Sequence, residues 1–278
     1  MVCVNVFKNY KKIFQKNGFN MIELIKDDCL NHLPKIENNS TDFICVDLPY
    51  GTTSIEWDNV IPMEKLWPEY WRILKPNGIV CLFGSQPFSS YLINSGLKEF
   101  KYELIWNKNK CGSPGLAKYR PMKVHENILI FNKKTGTYNP QMEEGAPYAR
   151  TSKNPDGFVG KSNSHGYGMK PRKEFSNEGT RYPKSILNIS RDFSAQQQVH
   201  PTQKPLNLMK WLIKTYTNEN ETVLDHCMGS GVTGMACKEL NRNFIGIEMN
   251  EEYFNIAKDR IENTEEPLKN KTIDKFFE

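Results

Sequence analysis

A chain of 278 residues, 38% hydrophobic and 25% charged, can bury a substantial core and reads as an ordinary soluble globular protein, built as one large domain or a core with an insert. No apolar run approaches the ~20 residues needed to cross a bilayer, and Lys8, Lys11, Lys12 and Lys16 break the N-terminal segment, so neither a membrane span nor a signal peptide is expected and the location is taken as cytoplasmic. The net charge of +5 is unevenly spread: 17 of the 37 Lys and Arg residues fall between Lys101 and Arg191, a basic middle on a mildly acidic remainder. Such a middle suits either a phosphate-binding face or a solvated charged surface.

In chain order, residues 22–28 and 42–47 read as strands ending in acids, with a short helical turn from Cys29 to Pro34 between them. Ile61 to Lys75 places apolar residues at 63, 66, 67, 70, 71, 73 and 74, a helical spacing that stops at Pro76-Asn77-Gly78. Ile79 to Phe83 reads as a buried strand, Pro87 to Leu97 as a helix closed by Gly96, and Tyr102 to Trp106 and Glu126 to Phe131 as two more strands. Residues 132–199 are rich in Gly, Pro, Asn, Ser and Lys, and read as an insert with little regular structure. Regularity returns with a helix from Pro205 to Tyr216, strand 222–225, helix Val232 to Leu240, strand Asn243 to Glu248 and helix Glu251 to Ile261. A polar tail covers 263–278, where Phe276-Phe277 could dock. Alternating strands and helices argue for an α/β fold with a mostly parallel sheet.

Seven cysteines (Cys3, Cys29, Cys45, Cys81, Cys111, Cys227, Cys237) contain no C-x-x-C pair, and the five histidines show no ligand spacing. Neither a disulfide framework nor a metal is expected. Trp57, Trp67, Trp71, Trp106, Trp211 and Met209 read as core or rim, and His226 as structural or a cofactor contact. Ser85 and Gln86 are candidates to line a pocket.

Two elements carry chemistry. In Val223-Leu224-Asp225-His226-Cys227-Met228-Gly229-Ser230-Gly231, a strand ends in an acid and runs through a glycine turn into a helix. Glycines let the backbone approach a ligand, and the helix offers unpaired N–H groups. A second strand ends at Glu248, 19 residues after Gly229, where dinucleotide folds place an acid on ribose hydroxyls. Gly229, Gly231 and Gly234 also satisfy G-x-G-x-x-G, but the unit occupies the last ~55 residues, which leaves little chain for a second mononucleotide half.

The other element is Asp47-Leu48-Pro49-Tyr50 at the end of an apolar run. The exocyclic amine of adenine is a poor nucleophile because its lone pair is delocalised into the ring. The Asp47 carboxylate and a main-chain carbonyl, that of Leu48, could accept its two N–H protons and turn the lone pair toward a methyl donor. Pro49 fixes the backbone and Tyr50 offers a stacking face. A turn closing a strand is the plain alternative.

These motifs resemble the β-class S-adenosylmethionine-dependent DNA amino-methyltransferases, in which an Asp-Pro-Pro-Tyr element precedes the recognition region and the glycine loop lies near the C-terminus. The likeness covers most of 22–131 and 200–261. It includes Asp27-Asp28-Cys29, Phe83-Gly84-Ser85-Gln86-Pro87, His125-Glu126-Asn127-Ile128-Leu129 and His200-Pro201-Thr202-Gln203-Lys204-Pro205. The resemblance implies a Rossmann-like methyltransferase fold with circularly permuted motif order and S-adenosyl-L-methionine as cofactor. It places Asp28 at the cofactor's adenine end and Glu248 at its ribose. Asp225 and Gly229–Gly231, with Ser230, Thr233 and Asn250 nearby, would hold the rest, assisted by Thr202 and Lys204. Leu48 departs from the family's first proline, but only its carbonyl is needed. Asp rather than Ser at position 47 favours adenine N6. In a 3-2-1-4-5 sheet, Asp225 and Asp47 would end neighbouring strands at the switch point where ligands bind.

The implied partner is double-stranded DNA with the target base flipped into the pocket. Phosphate-contact candidates are Lys108, Lys110, Lys118, Arg120 and Lys123 in the first basic connector, and Lys161, Lys170, Arg172, Lys173, Arg181 and Lys184 in the insert. A homodimer and a cognate restriction endonuclease are further candidate partners. Cytosine-N4 or RNA methylation, or a catalytically silent nucleic-acid binding module, are the alternative readings.

Overall fold

The computed structural model describes residues 6–7, 10–14, 21–51, 59–111, 114–150, 175–191 and 203–265. The chain forms a larger unit, 1–139 with 185–278, and a small unit, 140–184. In the larger unit the strands are β1 (Val6–Phe7), β2 (Tyr10–Phe14), β3 (Met21–Lys26), β4 (Thr41–Val46), β5 (Leu74–Gly84), β6 (Phe100–Asn107) and β7 (His125–Phe131). The small unit holds β8 (Glu143–Glu144), β9 (Tyr148–Arg150), β10 (Phe175–Asn177) and β11 (Thr180–Arg181). The larger unit resumes with β12 (Ile186–Asn188), β13 (Thr222–Asp225) and β14 (Asn243–Glu248). Its helices are α1 (Cys29–His32), α2 (Met63–Ile73), α3 (Phe88–Ser95), α4 (Leu206–Tyr216), α5 (Val232–Glu239) and α6 (Glu251–Asn263).

One sheet runs β1-β2-β3-β14-β13-β4-β5-β7-β6-β12. Strands β3, β14, β13, β4 and β5 are parallel, and β7 runs antiparallel between β5 and β6. The central strands are near-continuous apolar runs because helices cover both faces. Successive residues alternate sides: Phe43 and Cys45 of β4 pack with Leu208, Leu212 and Ile213 of α4 and Ala236 of α5. Ile44 and Val46 pack with Leu66, Tyr70 and Ile73 of α2 and Leu92 of α3. Each such fully buried Leu or Ile contributes roughly 1.5–3 kcal/mol, so the sheet is held from both sides.

The expected α/β fold is thus present, with three differences. Strands β1 and β2 extend the edge beside β3, in a segment to which no element is assigned above. The separate unit is narrower than the expected insert of 132–199, because β12 pairs in parallel with β6 and Asn139 N–H donates to Thr215 O at 2.7 Å. The small unit also has regular structure, two antiparallel ladders, β8 with β11 and β9 with β10. Trp57, Lys161, Lys170, Arg172, Lys173, His200, Thr202 and Phe276-Phe277 lie outside the described residues.

Candidate active site

Strands β13 and β4 are parallel neighbours, with Val223 opposite Phe43 and Leu224 opposite Ile44. Asp225 ends β13, and Asp47 follows the last residue of β4. The connections diverge on either side of this pair, β13 leading on to β14 and β4 to β5, which opens a crevice at the strand ends. Asp47 and Asp225 line one cavity of about 520 Å³, within the range of about 300–1,000 Å³ typical of small-ligand sites.

At the Asp225 end, the turn is built by the glycines. Gly229 and Gly231 take φ of +50° and +78°, where a side chain would be strained. The Asp225 carboxylate accepts from Thr233 Oγ1 at 2.5 Å and Cys227 N at 3.2 Å. Burial pushes this carboxyl up to about 6 against the lowering effect of both bonds. Glu248 spans the turn, accepting from Gly229 N at 2.9 Å and Asn250 N at 2.8 Å. Burial raises its carboxyl too, partly offset by those N–H donors. Asp28 caps α1, accepting from Leu30 N at 2.8 Å, and lines the cavity. Ser230 and Thr233 line it as well. Asn250 does not: its side chain caps α6 by accepting from Tyr253 N at 3.1 Å, which corrects the expected cofactor contact.

At the Asp47 end, Tyr50 Oη donates to Asp47 Oδ1 at 2.9 Å and Lys204 Nζ donates to Oδ2 at 2.5 Å. One face of Tyr50 stacks on Phe88, with centroids 5.0 Å apart. Leu48 is 2% exposed, its side chain turned into the core. Lys204, expected at the cofactor, instead joins two carboxylates: its Nζ also lies 3.2 Å from Glu126 Oε2. That contact lacks hydrogen-bond alignment, and Glu126 Oε2 is a buried acceptor without a donor among the described residues. Burial disfavours the Lys204 charge, but Asp47 and Glu126 outweigh it and hold the ammonium above its ordinary value. Burial raises the Asp47 carboxyl, with Lys204 pulling it down and Glu126 pushing it up. Glu126 is drawn down to about 2, since Lys204 and Lys108 together overcome its burial.

Lys108 is therefore an internal partner, its Nζ 3.0 Å from Glu126 Oε1, and not the surface phosphate contact the sequence suggested. Lys123 donates to Ser85 Oγ and is half-buried. Arg181 bonds Asn177 Oδ1 and Ala146 O and lies over the Tyr148 ring, tying the small unit together. Lys110, Lys118, Arg120 and Lys184 are exposed. Ser85 and Gln86 do not line the cavity; Gln86 Oε1 accepts from Ser90 Oγ at 2.8 Å.

Several wall residues carried no site role in the sequence reading. Glu126, Trp106, Met209 and Tyr253 come from four different elements and meet only through the fold. Trp106 is both core and wall: 1% exposed, it donates from Nε1 to Ile189 O at 2.7 Å. Cys29, His226 and Cys227 also meet, their ligand-type atoms all within 4.8 Å of one another. The Cys/His spacing could not reveal this, because α1 and the β13 turn are far apart in sequence.

A glycine turn and an acid at the carboxyl ends of adjacent parallel strands, opposite a second acid-and-aromatic corner, define a nucleoside-cofactor transferase of Rossmann-like architecture. Residues 41–259 match the N6/N4 methyltransferase family described as DNA methylase, and the chain belongs to that family. It is an S-adenosyl-L-methionine-dependent DNA methyltransferase. The chain is 29% identical over 250 residues to the Type II methyltransferase M1.MboII of Moraxella bovis, spanning 83% of this chain and 92% of that one. It is 29% identical over 258 residues to the Type II methyltransferase M.HpaI of Haemophilus parainfluenzae, covering 86% and 74%. Among solved structures, the complex of M1.HpyAVI with its SAM ligand superposes with a TM-score of 0.59 at 27% identity, covering 87% and 99%. Among the described residues no helix is long and apolar enough to cross a membrane.

The cavity's acceptors fit the cofactor: carboxylates at Asp28, Glu248 and Asp225 for hydroxyl, amino and cationic groups, and a glycine turn that admits close backbone approach.

Proposed function

We propose that this enzyme methylates N6 of an adenine swung out of double-stranded DNA, in the cytoplasm. The observation that carries the reading is the adjacency of Asp225 and Asp47 on neighbouring parallel strands around one cavity. S-adenosyl-L-methionine supplies, when bound, an electrophilic methyl group. Glu248 is oriented by the Gly229 and Asn250 N–H groups and keeps lone pairs for ribose hydroxyls; Asp28 serves the adenine end. Asp225 presents negative charge to the cationic methionine portion.

At the other end, each Asp47 oxygen holds one donor and can accept another, so an amine N–H can join without breaking the Lys204 or Tyr50 bond. The Leu48 carbonyl accepts the second N–H. Held this way, the nitrogen lone pair points to the methyl group, and alignment supplies much of the rate. After transfer the nitrogen carries a surplus proton, and Asp47, raised by burial, is the nearby base to take it. Phe88 props the Tyr50 ring, which is the stacking surface for the extruded base in this reading.

Asp at position 47 supports adenine over cytosine. Lys110, Lys118, Arg120 and Lys184 are the exposed cations retained as phosphate contacts. The Type II designation of the relatives supports pairing with a cognate endonuclease, and the family resemblance supports a homodimer. The test is transfer of a labelled methyl group to duplex DNA followed by nucleoside analysis. N6-methyladenine is expected; N4-methylcytosine would overturn the base assignment.

A further inference from the structure

We propose that Cys29, His226 and Cys227 form a site for one soft divalent cation of the zinc or cadmium class, opening on the cofactor cavity and competing with the cofactor. All three side chains line that cavity, and their ligand-type atoms lie within 4.8 Å of one another. Bond lengths of about 2.3 Å to sulfur and 2.0–2.1 Å to nitrogen give a tetrahedral sulfur–nitrogen edge of roughly 3.6 Å. His226 Nδ1 already lies 3.4 Å from Cys227 Sγ. The other imidazole nitrogen, Nε2, is 2.6 Å from Tyr70 Oη. That is the outer partner a metal-bound imidazole needs to fix its ring and tautomer.

Burial supports the assignment. Cys29 is 7% and His226 2% exposed, so both are held by the core, with little side-chain freedom left to lose on ligation. Two thiolates and one imidazole select zinc, cadmium or copper over magnesium or calcium. Three protein ligands leave a fourth coordination position, which faces the cavity. An ion there adds charge and volume beside Asp225 and the glycine turn, in space the cofactor requires. The cation would act as an inhibitor, silencing the enzyme when soft metal ions rise.

The ion-uptake part stands on the cluster alone; the competition part rests on the cofactor reading. Cadmium titration of the reduced full chain, followed by thiolate-to-metal charge-transfer absorbance, reads uptake directly. The expected result is one tight equivalent, weakened at least about 100-fold in both Cys29→Ser and Cys227→Ser, whereas Cys111→Ser leaves it unchanged; a loss of 10–100-fold is typical even of outer partners. A Tyr70→Phe variant, which keeps the ring, should weaken uptake less than either cysteine change. Circular dichroism of each variant separates lost ligation from lost folding. Equal tight uptake by the folded cysteine variants and the parent overturns the site. A second titration with saturating S-adenosyl-L-homocysteine should raise the apparent Kd for cadmium. Unchanged uptake there, with the analogue shown to bind by its shift in Tm, overturns competition while leaving the metal site standing. Failure of the analogue to bind at all refutes the cofactor assignment instead.

Discussion

Replacing Lys204 with methionine should move the acid limb of the pH–rate profile to higher pH. The ammonium is 9% exposed and lies 2.5 Å from Asp47 and 3.2 Å from Glu126, whose side chains are 21% and 17% exposed. Removing one member of a buried pair costs about 3–5 kcal/mol; the partial exposure of both carboxylates places this loss near 3 kcal/mol, or roughly 6–12 °C in Tm. The chemical consequence is sharper. Burial already raises Asp47, Lys204 is the main group pulling it down, and Glu126 pushes it up further. Without the cation, two neighbouring carboxylates compete to stay ionised and one takes up a proton. An upward displacement of about one to three pH units is typical of losing such a partner, and it carries the acid limb of the rate profile up by the same amount, at most tenfold in rate per pH unit. The assay is single-turnover methyl transfer to a duplex oligonucleotide from pH 6 to 9. The variant should regain most of its rate at the alkaline end, and Lys204→Arg should keep the parent's profile. A loss of equal size at every pH would refute the electrostatic role and leave a purely structural one.

Asp47→Ala should abolish transfer while cofactor affinity, measured calorimetrically, stays within a few-fold of the parent. The Asp225 carboxyl is raised to about 6 from 3.8, so the stability it contributes is present below about pH 4 and lost as pH rises through 6. Above that the buried ionised group costs about 3 kcal/mol, and a cationic ligand offsets it. Cofactor affinity should therefore fall about tenfold per pH unit below 6, and Asp225→Asn should flatten that dependence. Gly231→Ala forces a side chain at φ +78°, with its Cβ 2.9 Å from Ala257 Cα; a stability loss of at least about 1–2 kcal/mol should appear in thermal unfolding. Lys118→Ala and Arg120→Ala should each reduce the slope of log affinity against log salt for duplex DNA by about one. Lys108→Ala should leave that slope unchanged and lower Tm instead, because its partner is Glu126.

The central elements were legible because their signals are local. Apolar runs with terminal acids gave β4, β13 and β14 nearly to the residue, and helical spacing gave α2 and α4. The glycine turn and Glu248 were legible because ligand approach demands particular backbone freedom at a particular spacing. What stayed hidden was set by tertiary company. The ion-pair roles of Lys108 and Lys204 become visible only when Glu126 is placed between them. Asn250 looks like a binding residue until its side chain is seen satisfying the first turn of α6. The Cys29–His226–Cys227 cluster joins the first turn of α1 to the turn after β13, and β12 returned to the sheet from a stretch whose composition resembled a loop.

Strands β3 and β4 are consecutive in the chain, yet β14 and β13 lie between them in the sheet. A ribosome therefore releases the outer pieces first, and among the described strands the two middle staves are the last to be made. Until they slot in, the nascent sheet has a gap with two open flanks, the kind of surface that recruits chaperones or other strands. The same delay is a safeguard: a product terminated before β13 lacks the slab that carries Asp225 and Glu248, the two acids proposed to hold the cofactor.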